Sequence, residues 1–192
     1  MENEERIVVA CEGNTKESMD WAQGISLHKN ALKKGKKQTL KPLSSHVQHH
    51  FVFGGMFALF VALFLFGTRS NPSSVRTAIA AFNFGVVVMH IALGLTLKKA
   101  LDKVRKDYQA DHAGGDIIFD SFGIEDRELS GRTVTLGWKE YEMCVITNQV
   151  ITLMLGNWLY VTPYKEEVYG QLVQALEYYG KADTIFDYRQ KN

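Results

Sequence analysis

FVFGGMFALFVALFLFG, residues 51–67, carries no charged side chain and no proline. A helix over this stretch is about 25 Å long at 1.5 Å per residue, just under the ~30 Å hydrocarbon core of a bilayer. Thr68 and the uncharged residues 46–50 extend it to a full span. A second apolar stretch, TAIAAFNFGVVVMHIALGLTL at residues 77–97, reaches about 31 Å without help. Only RSNPSSVR separates the two, and its Asn-Pro-Ser-Ser core is turn chemistry. So short a turn forces antiparallel helices, and the pair reads as a transmembrane hairpin over about residues 48–68 and 77–97. The alternative is a buried hairpin of a soluble protein. Such a helix ordinarily keeps a polar stripe, and residues 51–67 have none.

The charges orient the hairpin. Lys29, Lys33, Lys34, Lys36, Lys37 and Lys41 precede it, Lys98, Lys99, Lys103, Arg105 and Lys106 follow it, and the turn holds Arg69 and Arg76. Positive charge stays on the cytoplasmic side, so both termini are expected there. The net charge of +1 over 192 residues gives no global field favouring nucleic acid. The acidic start MENEERIVVACEG lacks the basic and apolar regions of a signal peptide. Cys11 and Cys144 sit in no C-x-x-C or metal-ligand spacing and read as reduced cytosolic thiols.

Small residues recur every four positions in both spans: Gly54, Ala58 and Ala62 in the first, Thr77, Ala81 and Gly85 in the second. Such rows let helix backbones approach closely, and an antiparallel hairpin would set Ala58 near Gly85 and Ala62 near Ala81. Asn83 and His90 share a face roughly opposite Ala81 and Gly85. Polar groups in hydrocarbon need partners, so on this reading Asn83 and His90 point away from the first helix, toward a second subunit or another membrane protein. Alternatively, Asn83 bonds a backbone carbonyl and His90 snorkels to the interface.

Before the hairpin, residues 6–11 read as a strand, and Asn14 with Glu17 fits a capping box opening a helix. Trp21, Ile25, His28 and Leu32 fall at helical spacing, and the run LKKGKKQTLK follows. An apolar stripe beside a lysine cluster next to a membrane suggests an interfacial helix on anionic lipid, with Trp21, Lys33, Lys34, Lys36 and Lys37 at the lipid surface. The other reading is that the lysines only enforce topology. His46, His49 and His50 lack an acidic residue nearby in sequence, and no metal is assigned to them.

After the basic segment ending near residue 109 the pattern changes. Short alternating runs occupy residues 116–122, 123–128, 132–138, 143–147, 150–155 and 158–162, with a Gly-Asn hairpin signal at 156–157. Residues 166–179 form a helix with Val168, Leu172, Leu176 and Tyr179 on one face. The expected class is an α+β membrane protein: a cytoplasmic strand and basic helix at 1–45, the hairpin at 46–98, a basic juxtamembrane helix and turn at 99–115, an antiparallel β module with its C-terminal helix at 116–183, and a tail at 184–192.

The stretch VTLGWKEYEMCVITNQVITLMLGNWLYVTPYKEEVYGQL resembles the C-terminal module of the YcxB-like family of small bacterial two-span membrane proteins. The likeness is carried by Gly123-Ile124 ending a strand pair, Trp138 with an acidic residue after it, two strands around a Gly turn, and a proline after the last strand before a helix. One departure is that Tyr164 separates Pro163 from Lys165. The resemblance implies a pleckstrin-homology-like (PH-like) module and a place in the bacterial inner membrane. It implies no known reaction.

No catalytic or phosphate-binding motif is present, and the expectation is a protein that is not an enzyme and uses no cofactor. The acidic residues Asp116, Asp120, Glu125, Asp126 and Glu128 alternate as on solvated sheet faces and loops. Two functions follow. One is a membrane-anchored binding module that docks a protein or lipid partner, with Trp138, Trp158 and Tyr164 as surface candidates. The other is an immunity protein that neutralises a membrane-acting toxin through its hairpin.

Overall fold

The computed structural model describes residues 6–68, 73–108 and 114–189. Residues 69–72 of the sequence-predicted turn at 69–76, the end of the juxtamembrane segment at 109–113 and the last tail residues at 190–192 lie outside them, and the helix Ser74–Tyr108 begins inside the expected turn. The chain divides into two compact units, Met1–Leu40 with Val104–Asn192, and Lys41–Lys103.

The first unit contains two four-stranded sheets. In one, β1 (Ile7–Cys11), β2 (Gly115–Phe119), β3 (Gly123–Glu128) and β4 (Thr133–Gly137) form an antiparallel meander. In the other, β7 (Trp158–Pro163), β6 (Val150–Leu155) and β5 (Tyr141–Ile146) are antiparallel, and β8 (Ile185–Asp187) adds in parallel beside β5. The inner faces meet in one core. Val9, Ile117, Phe119 and Ile124 come from the first sheet, Cys144, Ile146, Ile151 and Leu153 from the second. Helix α5 (Glu166–Tyr178) closes this core with Val168, Leu172, Ala175 and Leu176, the stripe its helical spacing predicts.

The N-terminal arm is not a separate element. Val9 of β1 lies opposite Ile117 of β2, so residues on either side of the hairpin in sequence share one sheet. Helix α1 (Lys16–Ser26) and the short α2 (Lys29–Lys33) cover the outer face of the second sheet. Ala22, Ile25 and Leu32 pack there on Met143, Val145, Val150 and Met154. This explains why β6 is buried at every position rather than at alternate ones. A register shift between Tyr141 and Met143 sends Tyr141 to the inner core and Met143 to the outer cluster. Glu142, at that shift, receives Lys29 and Lys33, each at 2.8 Å. Burial acts to raise its carboxyl pKa, but the hydrogen bonds from Lys29 and Lys33 win and hold it below the usual carboxylate range. The α1 cap falls one residue later than Asn14. Thr15 Oγ1 accepts from Ser18 N–H at 3.0 Å and Ser18 Oγ from Thr15 N–H at 2.8 Å.

The second unit is an antiparallel pair formed by α3 (Leu43–Thr68) and α4 (Ser74–Tyr108). The candidate spans within them run Leu43–Gly67 and Ser74–Val104, and both are long and apolar enough to cross a membrane. Only 11% and 17% of their most apolar windows are buried, whereas a soluble core hairpin would be mostly buried. The predicted juxtamembrane helix is a continuation of α4, without a break after the apolar stretch.

The seam between the helices follows a heptad rather than rows of four. Leu43, Val47, His50, Gly54, Phe57, Val61 and Phe64 face it from α3, and Ala80, Asn83, Val87, His90, Gly94, Leu97 and Leu101 from α4; each of these is buried or half-buried. Alternating steps of three and four keep one face toward a partner over many turns. Gly54 is on this face as expected, and a Cβ there would lie 3.4 Å from His90 Cβ. Ala58, Ala62, Ala81 and Gly85 are exposed instead, and a Cβ on Gly85 would meet nothing within 4 Å. The predicted contacts of Ala58 with Gly85 and Ala62 with Ala81 are therefore replaced. Steps of four drift around a helix of 3.6 residues per turn, and Gly94, outside the predicted row, faces α3 against the Phe51 ring.

Candidate functional site

A cleft of about 220 Å³ opens in the first unit between one end of the β1–β4 sheet and β7. Its walls come from the chain after β1 (Glu12, Gly13, Asn14), the end of β3 (Asp126, Glu128), the following turn (Arg132) and the start of β7 (Trp158, Leu159, Tyr160, Val161). Gly114 and Gly115 close one side. A Cβ on Gly114 would lie 2.7 Å from Gly13 N, and one on Gly115 would collide with the Arg127 carbonyl. Only glycine permits so close an approach of three backbone segments.

The strand register sets the chemistry. Val9, Ile117, Asp126 and Val134 form one row across the sheet, and Cys11, Gly115 and Glu128 the next but one. Residues directly opposite share a face, so Asp126 and Glu128 occupy inward positions in line with the buried Ile124. The expectation of solvated alternation fails for these two. The signal lay in the spacing: Ile124, Asp126 and Glu128 are each two apart, on the same side of a strand as a core isoleucine.

Burial pushes the Asp126 carboxyl up to about 6; nearby Glu128 adds to the shift and Arg132 opposes it. Its neighbours are otherwise engaged. Lys165 Nζ reaches Glu12 at 2.5 Å. Glu128 accepts from the Ser130 hydroxyl at 2.8 Å. The Arg132 guanidinium lies over the Trp158 ring, 5.0 Å from its centre. Asn14 Oδ1 is buried with no hydrogen-bond partner, and among the described residues no donor bonds Asp126. Two acceptors without donors thus line one cleft. Burial raises the Cys11 and Cys144 thiols above their ordinary range, so both are protonated at neutral pH.

The predicted partner-surface residues separate. Trp158 lines the cleft. Trp138 is half-buried at the far end of β3. Its indole N–H donates to the Asp120 carbonyl at 2.8 Å, and its ring packs between Phe119 and Tyr179. Tyr164 donates to Glu166 and accepts from Arg189 at 2.7 Å, and the Arg189 guanidinium stacks 3.7 Å from the Tyr169 ring centre. Trp21 packs into the outer cluster and Lys33 pairs with Glu142, while Lys34, Lys36 and Lys37 are exposed.

His90 and Asn83 do share a face, but it is the face toward α3. His90 Nδ1 is 3.0 Å from His50 Nδ1, and the His90 ring stacks beside Phe57. Asn83 Nδ2 donates to the Ile79 carbonyl at 2.8 Å, the backbone alternative the sequence left open. The imidazole reserved for a second subunit is used inside the hairpin. The four-residue rows misled because they put the small side chains, not the polar ones, at the seam. Comparison with protein-family models, curated proteins and solved structures finds no match for the chain.

Proposed function

We propose that this chain is a membrane-anchored binding protein of the bacterial inner membrane, held by its helix hairpin with both termini cytoplasmic, and that it works without catalysis. We read the first unit as a PH-like module: seven antiparallel strands in two sheets, closed by α5, support that reading. The lysine bias on either side of the apolar helices supports the orientation. The observation that carries the function is the cleft, where Asp126 and Asn14 offer unpaired acceptors beside an aromatic wall. A buried acceptor without a donor costs free energy, and a partner that brings a donor recovers it. The fitting group is the ammonium or guanidinium of a basic side chain on a protein partner.

The test is recovery of tagged full-length protein from mildly solubilised native membranes, with partners quantified by mass spectrometry. One abundant partner should copurify with the wild type and be depleted at least tenfold by Asp126→Asn or Trp158→Ala. Recovery of the chain alone, or of the same partner with both variants, overturns the reading.

A further inference from the structure

We infer that a second site, on the opposite side of the second sheet from α5's core, binds the anionic headgroup of a phospholipid. It is a groove along the loop that follows α2. Gly35 ends α2 in the left-handed conformation (φ 65°), and Lys36 N–H reaches back to the Ala31 carbonyl at 3.1 Å. This fixes where Lys36 and Lys37 emerge. Farther on, Leu40 packs into the cluster that holds Trp21, Phe186 and Tyr188. The loop is therefore pinned at both ends.

Between those pins run two adjoining cavities of about 480 and 390 Å³, which share Gln38 and Tyr188. Lys36 and Lys37 line the first, and the amides of Asn148 and Gln149 with the Trp21 indole line the second. The charge is uncompensated. Lys29 and Lys33 share the single carboxylate of Glu142, and among the described residues Lys34, Lys36 and Lys37 make no ion pair. Asp187 also lines the groove, and Arg189 already holds it at 2.7 Å. Ammonium groups, amide N–H donors and an amphipathic aromatic rim suit a phosphodiester at a membrane surface. The occupant follows from the chain path: the loop runs directly into Leu43, the first residue of the first candidate span.

The probe is dioleoyl phosphatidylglycerol, compared with dioleoyl phosphatidylcholine, titrated into detergent-solubilised full-length protein and read by native mass spectrometry. The wild type should retain phosphatidylglycerol preferentially. Removing each lysine should weaken retention about fivefold, so K36Q/K37Q loses roughly 25-fold, while K98Q/K99Q at the other flank stays near wild type. In the wild type, phosphatidylglycerol should also protect Lys36 and Lys37 from an amine-reactive label and leave the exposed Lys139 reactive. Equal retention of the two lipids, unchanged retention by K36Q/K37Q, or absence of protection overturns the inference. The lysines are distant in sequence from Asp126 and Trp158, so partner loss on the cleft variants and lipid loss on K36Q/K37Q fail or succeed separately.

Discussion

Replacing Asp126 by Asn tests whether the cleft holds a carboxylate kept without a partner. The folded state raises this group from 3.8 to about 6. Each unit is worth about 1.4 kcal/mol, which sets an upper bound of about 3 kcal/mol on what the ionised form costs the fold. Asp126 is half-buried and opens on a wet cleft, so screening reduces this to about 1 kcal/mol. The sign follows from linkage. A carboxyl with a raised folded pKa binds its proton more tightly when folded, so below about pH 4 it costs nothing, and stability falls as pH rises to about 6. The isosteric amide never ionises. Asp126→Asn should therefore match the wild type at pH 4 and exceed it at pH 7, by about 2–4 °C in melting temperature for about 1 kcal/mol. Tryptophan fluorescence in detergent micelles reports the melt, and the same variant should lose the partner. A variant that is less stable than wild type at pH 7, or a difference that ignores pH, would show that Asp126 is already paired and would remove the basis for docking there.

Further tests address the packing. Gly94→Leu should destabilise the hairpin by about 1–3 kcal/mol through overpacking on Phe51, whereas Gly85→Leu should leave it unchanged; unfolding in mixed micelles distinguishes them. His50→Leu or His90→Leu alone strands the other imidazole at a cost of about 1–3 kcal/mol, and the double change should recover much of the loss in a double-mutant cycle. Leu172→Ala removes a fully buried α5 side chain and should cost about 2–5 kcal/mol. Glu142 has a lowered carboxyl pKa, so the stability it lends is present above its unfolded value near 4.5 and is lost as pH falls below that. Glu142→Gln should speed hydrogen exchange in α2 at pH 7, and the difference should shrink as the solution is acidified below 4.5.

Several elements were legible because local chemistry decides them. Val150–Leu155 and Glu166–Tyr178 match the alternating run and the helical stripe almost residue for residue, and Gly156, at φ 60°, makes the hairpin turn its Gly-Asn pair signals. What escaped depends on contacts distant in sequence. Nothing in residues 6–11 says that their partner strand lies beyond the hairpin, and nothing in the Trp21 stripe distinguishes a sheet from a lipid surface as the thing it covers. β8 has only three residues and exists because β5 offers an edge. The cleft lies between these cases. The inward carboxylates were visible in the two-residue spacing from Ile124, but their meaning depends on the chain after β1 supplying Asn14 and β7 supplying Trp158 from distant parts of the sequence. The hairpin makes the same point in reverse. Its polar residues were singled out, and the backbone bond of Asn83 was one of the readings, but neither reading put His90 toward the first helix, because a four-residue row of small side chains and a heptad of mixed ones predict opposite faces. Only the partner helix decides between them, and His50 on that helix is what draws His90 inward.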